Sequence, residues 1–360
     1  MQSIKRQEAP LFEEAITKNF GVLPSTRYQG SKYKILEWID YYTKDLSFDS
    51  VLDAFGGTGC VGYMFKRNGK QVIYNDYLRF NYYIGLALIE NKNTTLNDHD
   101  LDFILKKHHK IIYPSFVSET FRDIYFTDEE NKWLDMVITN IRNMDDQYKQ
   151  AMAYYALFQS CIIKRPYNLF HRKNLYIRMA EVERSFGNKK TWDTPFEDHF
   201  LKFAREANDA VFDNSRENKA FHSDTFDLDI PDVDLIYIDT PYISARGVGV
   251  NYFDFYHFLE GIIFYDEWPR LIDEKSKHKR IKNGKGEWCN RGEIHGAFER
   301  LFNKFRKSMM VVSYRDDGTP TIPQLVNMLG KHKSTVEVKK LDYKYVLSNG
   351  NSKEVLIIAK

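Results

Sequence analysis

A glycine-rich turn between an apolar run and a helical segment constrains the fold of this chain more than any other feature. In VLDAFGGTGCVG, the run Val51–Phe55 leads into Gly56, Gly57 and Gly59, and the helical periodicity of Val61–Asn68 follows. Glycines at this place let the backbone turn tightly and approach a ligand, while the first N–H groups of the helix stay free to bind it. The turn therefore predicts the ligand-binding edge of an open α/β sheet.

Short apolar runs rich in Val, Ile, Tyr and Phe recur along the chain and end in an acid, a glycine or a turn, as buried parallel strands do. The last two runs are separated by LSNGNS, whose Asn349–Gly350 pair predicts a hairpin. Helical periodicity at Phe80–Glu90 and Ile294–Arg306 falls between runs. We predict an α/β fold with a Rossmann-like sheet of seven strands, the last two antiparallel. The predicted strands are Val51–Phe55, Gln71–Asn75, Ala220–Ser223, Leu235–Ile238, Met309–Tyr314, Thr335–Asp342 and Lys353–Ala359.

Two insertions interrupt the alternation of strands and helices. More than 140 residues separate the second and third predicted strands, far beyond what one crossover helix requires. Asp128–Arg142 and Gln147–Ile163 have helical periodicity, so we expect this insertion to be mostly helical. The predicted division is a catalytic domain of residues 1–92 and 206–360, an inserted domain of residues 93–205, and a second insertion of residues 244–293.

An acid at the end of the second strand indicates what the turn binds. Asp76 closes VIYND, 23 residues after Asp53, where a carboxylate can accept both ribose hydroxyls of a nucleoside. The residues Gly57–Gly62 also match the dinucleotide fingerprint G-x-G-x-x-G, so a dehydrogenase that binds NAD stays open. A carboxylate at Asp53 would oppose a pyrophosphate but could bind an amino-acid ammonium. A nucleoside cofactor with a cationic amino-acid tail therefore fits better.

The segment Asp239–Thr240–Pro241–Tyr242 ends the fourth predicted strand, at the same edge of the sheet. An aromatic amine is a weak nucleophile because its lone pair is delocalised into the ring. The carboxylate of Asp239 and the carbonyl of Thr240 can accept its two N–H groups, and Pro241 fixes the backbone that presents this carbonyl. Tyr242 can stack on the base. An ordinary turn after a strand remains the alternative.

These motifs and their order resemble those of the Dam-like adenine-N6 DNA methyltransferases, which carry a target-recognition insertion between the cofactor half and the catalytic half. The resemblance implies S-adenosylmethionine as cofactor and base flipping as the means of reaching adenine in duplex DNA. It implies direct methyl transfer, within a restriction-modification or an orphan methylation system. DTPY departs from the commoner D-P-P-Y at Thr240, which still offers the main-chain carbonyl. Asp239 favours adenine, because cytosine-N4 enzymes usually begin this motif with Ser.

The resemblance also implies cofactor-binding residues. RYQGSKYK, residues 27–34, is similar to the family's N-terminal cofactor motif, which implies that Lys32 faces the methionine carboxylate. DAFGGTG resembles D-x-F-x-G-x-G, with Asp53 near the cofactor's amino group and Phe55 beside its adenine region. Asp224 matches an acid that reaches the adenine amine. The implied cofactor-binding residues are Tyr28, Gly30, Lys32, Asp53, Phe55, Gly56, Gly57, Gly59, Asp76 and Asp224.

Positive charge on DNA-facing surfaces must be local, because the formal net charge is only +2. KRPYNLFHRKNLYIR, residues 164–178, interleaves basic side chains with Tyr167, Phe170 and Tyr176, and the second insertion contains KSKHKRIKNGK. Solvated surface charge is the alternative for both segments. The predicted DNA-binding residues are Lys164, Arg165, Asn168, Arg172, Lys173, Arg178, Lys279 and Arg280.

Three widely spaced cysteines argue against a disulfide framework and a closed zinc site, and we predict no metal. The first twenty residues lack an apolar core, and no apolar run reaches the length of a membrane span. We expect a cytoplasmic monomer that acts on double-stranded DNA, and a cognate restriction endonuclease is its candidate functional partner. An RNA adenine methyltransferase and a non-catalytic DNA-binding module are the alternative functions.

Overall fold

A twisted sheet of seven strands forms the centre of the molecule. The computed structural model describes residues 25, 28–182, 189–244, 249, 251–282, 286–341 and 353–360. The strands are β1 (Ser50–Asp53), β2 (Gln71–Asp76), β3 (Lys219–His222), β4 (Leu235–Ile238), β6 (Met309–Arg315), β8 (Val336–Leu341) and β9 (Glu354–Ala359). The strand order is β3-β2-β1-β4-β6-β9-β8, and the neighbours from β3 to β6 pair in parallel.

The predicted strands and their directions are confirmed. Each of the seven runs forms a strand of this sheet, with ends that differ from the prediction by at most two residues. β9 pairs antiparallel with both β6 and β8, as the hairpin signal required. The Asn349–Gly350 pair itself lies outside the described residues. The Rossmann-like α/β class is therefore confirmed.

A second, two-stranded sheet lies beside the end of β4. Its strands are β5 (Ile243–Ser244) and β7 (Gly318–Thr319), which pair antiparallel. β5 begins directly after Tyr242, and β7 follows β6 after a two-residue turn. Neither strand was predicted, because two-residue strands leave no periodicity in a sequence.

Helices cover both faces of the large sheet. Their bounds are α1 (Leu36–Thr43), α2 (Cys60–Arg67), α3 (Arg79–Gly85, continued by a π-helical turn over Leu86–Glu90), α4 (Asp98–Leu105), α5 (Phe116–Thr120), α6 (Asp128–Arg142), α7 (Gln147–Ile163), α8 (Leu175–Met179), α9 (Lys189–Asp193), α10 (Phe196–Ala210), α11 (Tyr252–Ile263), α12 (Trp268–Leu271), α13 (Ile294–Lys304) and α14 (Ile322–Gly330). The two helices predicted inside the first insertion, α6 and α7, match their predicted bounds. Capping side chains help to fix their starts: Thr127 caps α6 and Asp146 caps α7.

Two buried clusters lie on opposite faces of the sheet, because successive side chains of a strand point to opposite sides. Leu52 of β1 packs in the cluster that contains Phe298 of α13. Its neighbour Val51 packs in the larger cluster, together with Leu134 of α6 and Phe158 of α7. The insertion therefore shares a core with the sheet. Its separation as a recognition domain stays a prediction.

Within the described ranges, no helix is both long and apolar enough to cross a bilayer.

Candidate active site

A cavity of about 470 Å³ opens at the carboxyl ends of β1, β2 and β4. It brings together residues that are more than 200 positions apart in the chain, and it joins the glycine turn to the DTPY segment. Predicted site residues on its wall are Tyr28, Gly30, Lys32, Phe55, Gly56, Gly57, Asp76, Asp224, Asp239 and Pro241. Two separate sequence motifs therefore meet in one ligand-sized space.

Asp76 connects the glycine turn to the end of β2. Its Oδ2 accepts a hydrogen bond from the Gly57 N–H at 2.8 Å, and its Oδ1 accepts one from the Leu78 N–H at 2.8 Å. Gly57 has a φ of +52°, which explains the glycine there. Burial raises the pKa of Asp76, against the lowering effect of these N–H groups. A carboxylate with about four lone-pair sites keeps acceptor capacity for a ligand.

Close packing explains a second glycine of the turn. A Cβ atom on Gly56 would lie 2.0 Å from Cε2 of Tyr74, a buried residue of β2. Tyr74 Oη in turn donates to the Gly57 carbonyl at 2.8 Å. The tyrosine ring thus packs against the turn and leaves no room for a side chain at residue 56.

Asp53 lies behind the turn. Its Oδ2 accepts from the Gly62 N–H at 3.0 Å in the first turn of α2, and the residue is 1% exposed. Burial, together with the nearby charges of Asp239 and Asp76, raises its pKa to about 8. The structure therefore shows Asp53 stabilising the start of α2, and its predicted contact with the cofactor's amino group stays a prediction.

The N-terminal segment is held against the cavity by aromatic stacking. The ring of Tyr28 lies parallel to that of Tyr256, with centroids 4.3 Å apart, and to that of Tyr252 at 6.1 Å. Gly30 has a φ of +83°, and a Cβ atom there would lie 2.1 Å from the Tyr252 hydroxyl. Both partners lie on α11, so the helix that follows DTPY supports the first cofactor motif.

Lys32 pairs with the segment that was predicted to be catalytic. Its Nζ lies 2.8 Å from Oδ1 of Asp239, and the two side chains are 8% and 21% exposed. Burial raises the pKa of Asp239 to about 6, while the Lys32 ammonium opposes this rise. The prediction that Lys32 faces a methionine carboxylate is not tested by this geometry, but its ammonium contacts the motif that was predicted to bind the target amine.

Of the other residues of DTPY, some line the cavity and some lie beside it. Pro241 lines the cavity, and Thr240 is buried at 4% exposure. The Tyr242 ring is half-buried and lies against Arg315, whose Nη1 donates to the tyrosine hydroxyl at 2.5 Å. A base that stacks on Tyr242 would therefore lie beside the cavity.

One wall of the cavity was missed by sequence reasoning. Trp288, in the second insertion, stacks on Phe226 with centroids 5.7 Å apart and meets Phe55 edge-on at 5.2 Å. A single tryptophan in a basic segment does not indicate that its side chain lines a cavity. Tyr252 and Tyr256 had a usable signal, since their spacing of four residues places both on one face of a helix.

Three predicted DNA-binding residues are buried, and their prediction is wrong. Lys164, Arg165 and Arg178 are 1%, 1% and 5% exposed. Lys164 and Arg178 both pair with Glu130, at 2.8 and 2.7 Å. Arg165 donates to the carbonyls of Tyr125, Leu169 and Arg172 and to Asn174 Oδ1. These cations therefore stabilise the insertion from inside and offer nothing to a phosphate.

Other residues of the two basic segments remain candidates. Arg172 and Lys173 are exposed, as are Tyr167 and Tyr176 at 49% and 69%, whereas Phe170 is fully buried. The Asn168 side chain is half-buried and donates to the Ile162 carbonyl at 3.1 Å. In the second insertion, Lys279 pairs with Glu274 and Arg280 with Asp273. Charge on this second segment is thus partly neutralised by its own acids.

Comparison with known proteins identifies the family. The sequence model of the D12 class N6 adenine-specific DNA methyltransferases matches residues 28–309. The chain belongs to this family. The match begins at Tyr28, the first residue of the cavity wall, and ends at the start of β6.

Individual relatives are similar over most of the chain. It is 30% identical over 340 residues to the type II methyltransferase M2.HphI of Haemophilus parahaemolyticus, covering 92% of this chain and 95% of the relative. It is 26% identical over 313 residues to M.NlaIII of Neisseria lactamica, covering 83% and 86%. It is 27% identical over 363 residues to the modification methylase StsI of Streptococcus sanguinis, covering 91% of this chain and half of that longer protein.

Family membership establishes the activity. The chain is an adenine-specific DNA methyltransferase, which modifies the N6 amine, as its resemblance to the Dam-like enzymes implied. The dinucleotide fingerprint at Gly57–Gly62 therefore belongs to a methyltransferase turn and not to a dehydrogenase. A methyltransferase requires a methyl donor, and the cavity has two residues of the DTPY segment, Asp239 and Pro241, on its wall.

Proposed function

We propose that the cavity binds S-adenosylmethionine and that Asp239 and Tyr242 hold a flipped adenine beside it. The observation that carries this proposal is that one cavity has both Asp76 and Asp239 on its wall. Its volume of about 470 Å³ lies within the range of small-molecule sites, about 300–1,000 Å³. When bound, the cofactor supplies an electrophilic methyl group.

The residues present fit this cofactor. Asp76 keeps lone pairs for two ribose hydroxyls beyond the two N–H groups it already accepts. Phe55 and Trp288 form an aromatic wall suited to an adenine ring, with Asp224 beside it. Lys32 and Asp53 are the ionisable groups on the side of Asp239, where the amino-acid end would bind.

The target amine is held by acceptors on the DTPY segment. The Asp239 carboxylate and the Thr240 carbonyl each accept one N–H of the adenine amine, which directs the nitrogen lone pair towards the methyl group. Tyr242 stacks on the base. As the new N–C bond formed, the bond between the methyl carbon and the sulfur of the donor would break, and the cationic nitrogen would then release one proton to water. These acceptors act only on a base that has left the duplex stack, so the proposal includes base flipping.

The rate of methylation should fall at acid pH because a charged Asp239 accepts the amine N–H more strongly and stabilises the nitrogen as it becomes cationic. With the pKa of Asp239 raised to about 6, kcat/KM should be level above pH 6 and fall about tenfold per unit below it. Lys32 favours the charged carboxylate, so Lys32→Met should move this fall to higher pH. The pH profile of methyl transfer measures both effects. Lys34→Met, on an exposed neighbour, is the control and should leave the profile in place.

Loss of the Tyr242 ring should weaken capture of the flipped base. Tyr242→Ala removes a stacking surface worth about 1–3 kcal/mol per base in single-strand binders. The fluorescence increase of 2-aminopurine at the target position should fall about tenfold, while cofactor affinity stays unchanged. Tyr41→Ala, which removes an exposed ring of α1, is the matched control for loss of a surface tyrosine. An unchanged fluorescence increase in Tyr242→Ala would show that another group holds the base.

We further propose that the chain protects host DNA against a cognate restriction endonuclease. This proposal rests on the relatives, which are named as type II methyltransferases and modification methylases. Residues 93–205 would read the DNA sequence, with Arg172 and Lys173 as exposed phosphate contacts. Co-expression with a library of endonucleases of known specificity would show which cuts the protein blocks.

A further inference from the structure

We propose that Arg315 is a positioning residue that fixes the Tyr242 ring for the flipped base. The proposal rests on the function proposed above, in which Tyr242 stacks on the target adenine. Arg315 is the last residue of β6 and is 73 positions from Tyr242 in the chain. No motif in the sequence links the two residues.

The backbone brings Arg315 to the catalytic segment. β4 and β6 are parallel neighbours, with Ile238 opposite Val312, so both strands end at the same edge of the sheet. Directly after Tyr242, β5 pairs with β7, with Ile243 opposite Thr319 and Ser244 opposite Gly318. The small sheet therefore joins the chain on the far side of DTPY to the chain that follows Arg315. Tyr242 and Arg315 lie between these two pairings.

The side chains then meet directly. Nη1 of Arg315 donates to the Tyr242 hydroxyl at 2.5 Å, and the central guanidinium carbon lies 4.6 Å from the centre of the tyrosine ring. One face of the ring is thus covered by a cation. The base must stack on the opposite face, so Arg315 determines both the tilt of the ring and the side on which it accepts a base.

Asp317 holds the guanidinium in place. Arg315 Nε donates to Asp317 Oδ1 at 3.0 Å, and Nη2 donates to Oδ2 at 2.8 Å. This two-pronged pairing is specific to the planar guanidinium fork, and lysine cannot reproduce it. The Arg315 side chain is 16% exposed, whereas that of Asp317 is 38% exposed, so the guanidinium is held from the solvent side of the pair. Asp317, Arg315 and Tyr242 therefore form one chain of hydrogen bonds that holds the Tyr242 ring in its orientation.

A double-mutant cycle tests the proposal. The duplex carries the protein's own methylation site, first read from the DNA of cells that express it. Arg315→Met should lower kcat and the 2-aminopurine fluorescence increase about tenfold, with affinities for DNA and S-adenosylmethionine within about twofold of the wild type. In a Tyr242→Phe background, which lacks the accepting hydroxyl, Arg315→Met should lower kcat and the fluorescence increase by less than about threefold. Arg315→Lys should recover only part of the loss.

Controls separate this role from folding and from the proposed function. Arg306→Met makes the same change on an exposed arginine and should have no effect. If Arg315→Met fails to fold, Asp317→Asn tests the same chain from its other end and should lower the fluorescence increase without changing cofactor affinity. The proposal is overturned if the Arg315→Met loss persists in full in the Tyr242→Phe background, or if fluorescence is unchanged or rises. Failure of the wild type to flip the base would instead contradict the proposed function.

Discussion

Asp239→Asn should reduce methyl transfer to DNA by about 100- to 1,000-fold while cofactor affinity stays within a few-fold of the wild type. The change keeps the size of the side chain but replaces one accepting oxygen with a donor that repels the amine N–H. Removing one well-placed hydrogen-bond partner of a reacting group typically lowers the rate by this factor. Single-turnover transfer of a labelled methyl group measures the rate, and calorimetry measures cofactor binding.

The Asp239→Asn variant also loses its ion pair with Lys32, and this second effect needs a control. The Asp239→Asn change would leave the Lys32 ammonium, which lies 2.8 Å from the native carboxylate, without its counter-charge, so thermal unfolding should be compared as well. Asp232→Asn removes a carboxylate that pairs with Lys307 on the exposed surface and should leave transfer unchanged. Retained transfer in Asp239→Asn would remove this residue from the catalytic role.

Asp76→Asn should weaken binding of S-adenosylmethionine by about 100-fold or more. The amide cannot accept from both Gly57 and Leu78, since its nitrogen would face one of their N–H groups. Loss of one hydrogen bond to a charged group costs about 1.5–3 kcal/mol, and the ribose loses an acceptor in addition. Calorimetry with the full chain gives the dissociation constant directly.

An exposed carboxylate provides the comparison for Asp76. Asp45→Asn, on the surface after α1, should bind the cofactor as the wild type does. Circular dichroism should show that Asp76→Asn keeps the fold, because the change leaves the buried clusters of the sheet intact. Wild-type affinity in a folded Asp76→Asn variant would show that the ribose does not bind at the end of β2.

Most of the sheet could be predicted from sequence because its inner strands are buried on both faces. Runs such as Leu235–Ile238 are apolar at every position, and their ends are marked by acids or turns. Because the carboxyl ends of parallel strands meet at one edge of a sheet, we could also predict that Asp76 and Asp239 lie close together, although their strands are far apart along the chain. For α6 and α7, long periodic segments with capping residues fixed the bounds.

The charged residues of the insertion could not be placed, because a sequence does not show which cations have partners inside the fold. Glu130 lies 48 residues before Arg178, yet it pairs with both Arg178 and Lys164. A run of basic residues therefore predicted a DNA surface where the structure has buried ion pairs. Arg165 is the clearest case, since four acceptors surround its guanidinium: the Tyr125 carbonyl, 40 residues away, and three groups of the same basic segment.

The links between motifs were also invisible in the sequence. The Lys32–Asp239 pair joins the N-terminal cofactor motif to DTPY, and the Arg315–Tyr242 contact joins DTPY to β6. Each motif was recognised alone, but contacts between motifs depend on side-chain directions that only the folded sheet sets. Trp288 reaches the cavity for the same reason, through a segment with no periodicity of its own.

The central claim is that this chain methylates adenine N6 in duplex DNA at one recognised site, through Asp239. Sequencing DNA from cells that express it, with a read-out sensitive to modified bases, tests this most directly. We expect N6-methyladenine at a single recurring short sequence, and its absence in cells that express Asp239→Asn at the same level. Modified cytosine, or N6-methyladenine that persists with Asp239→Asn, would contradict the account.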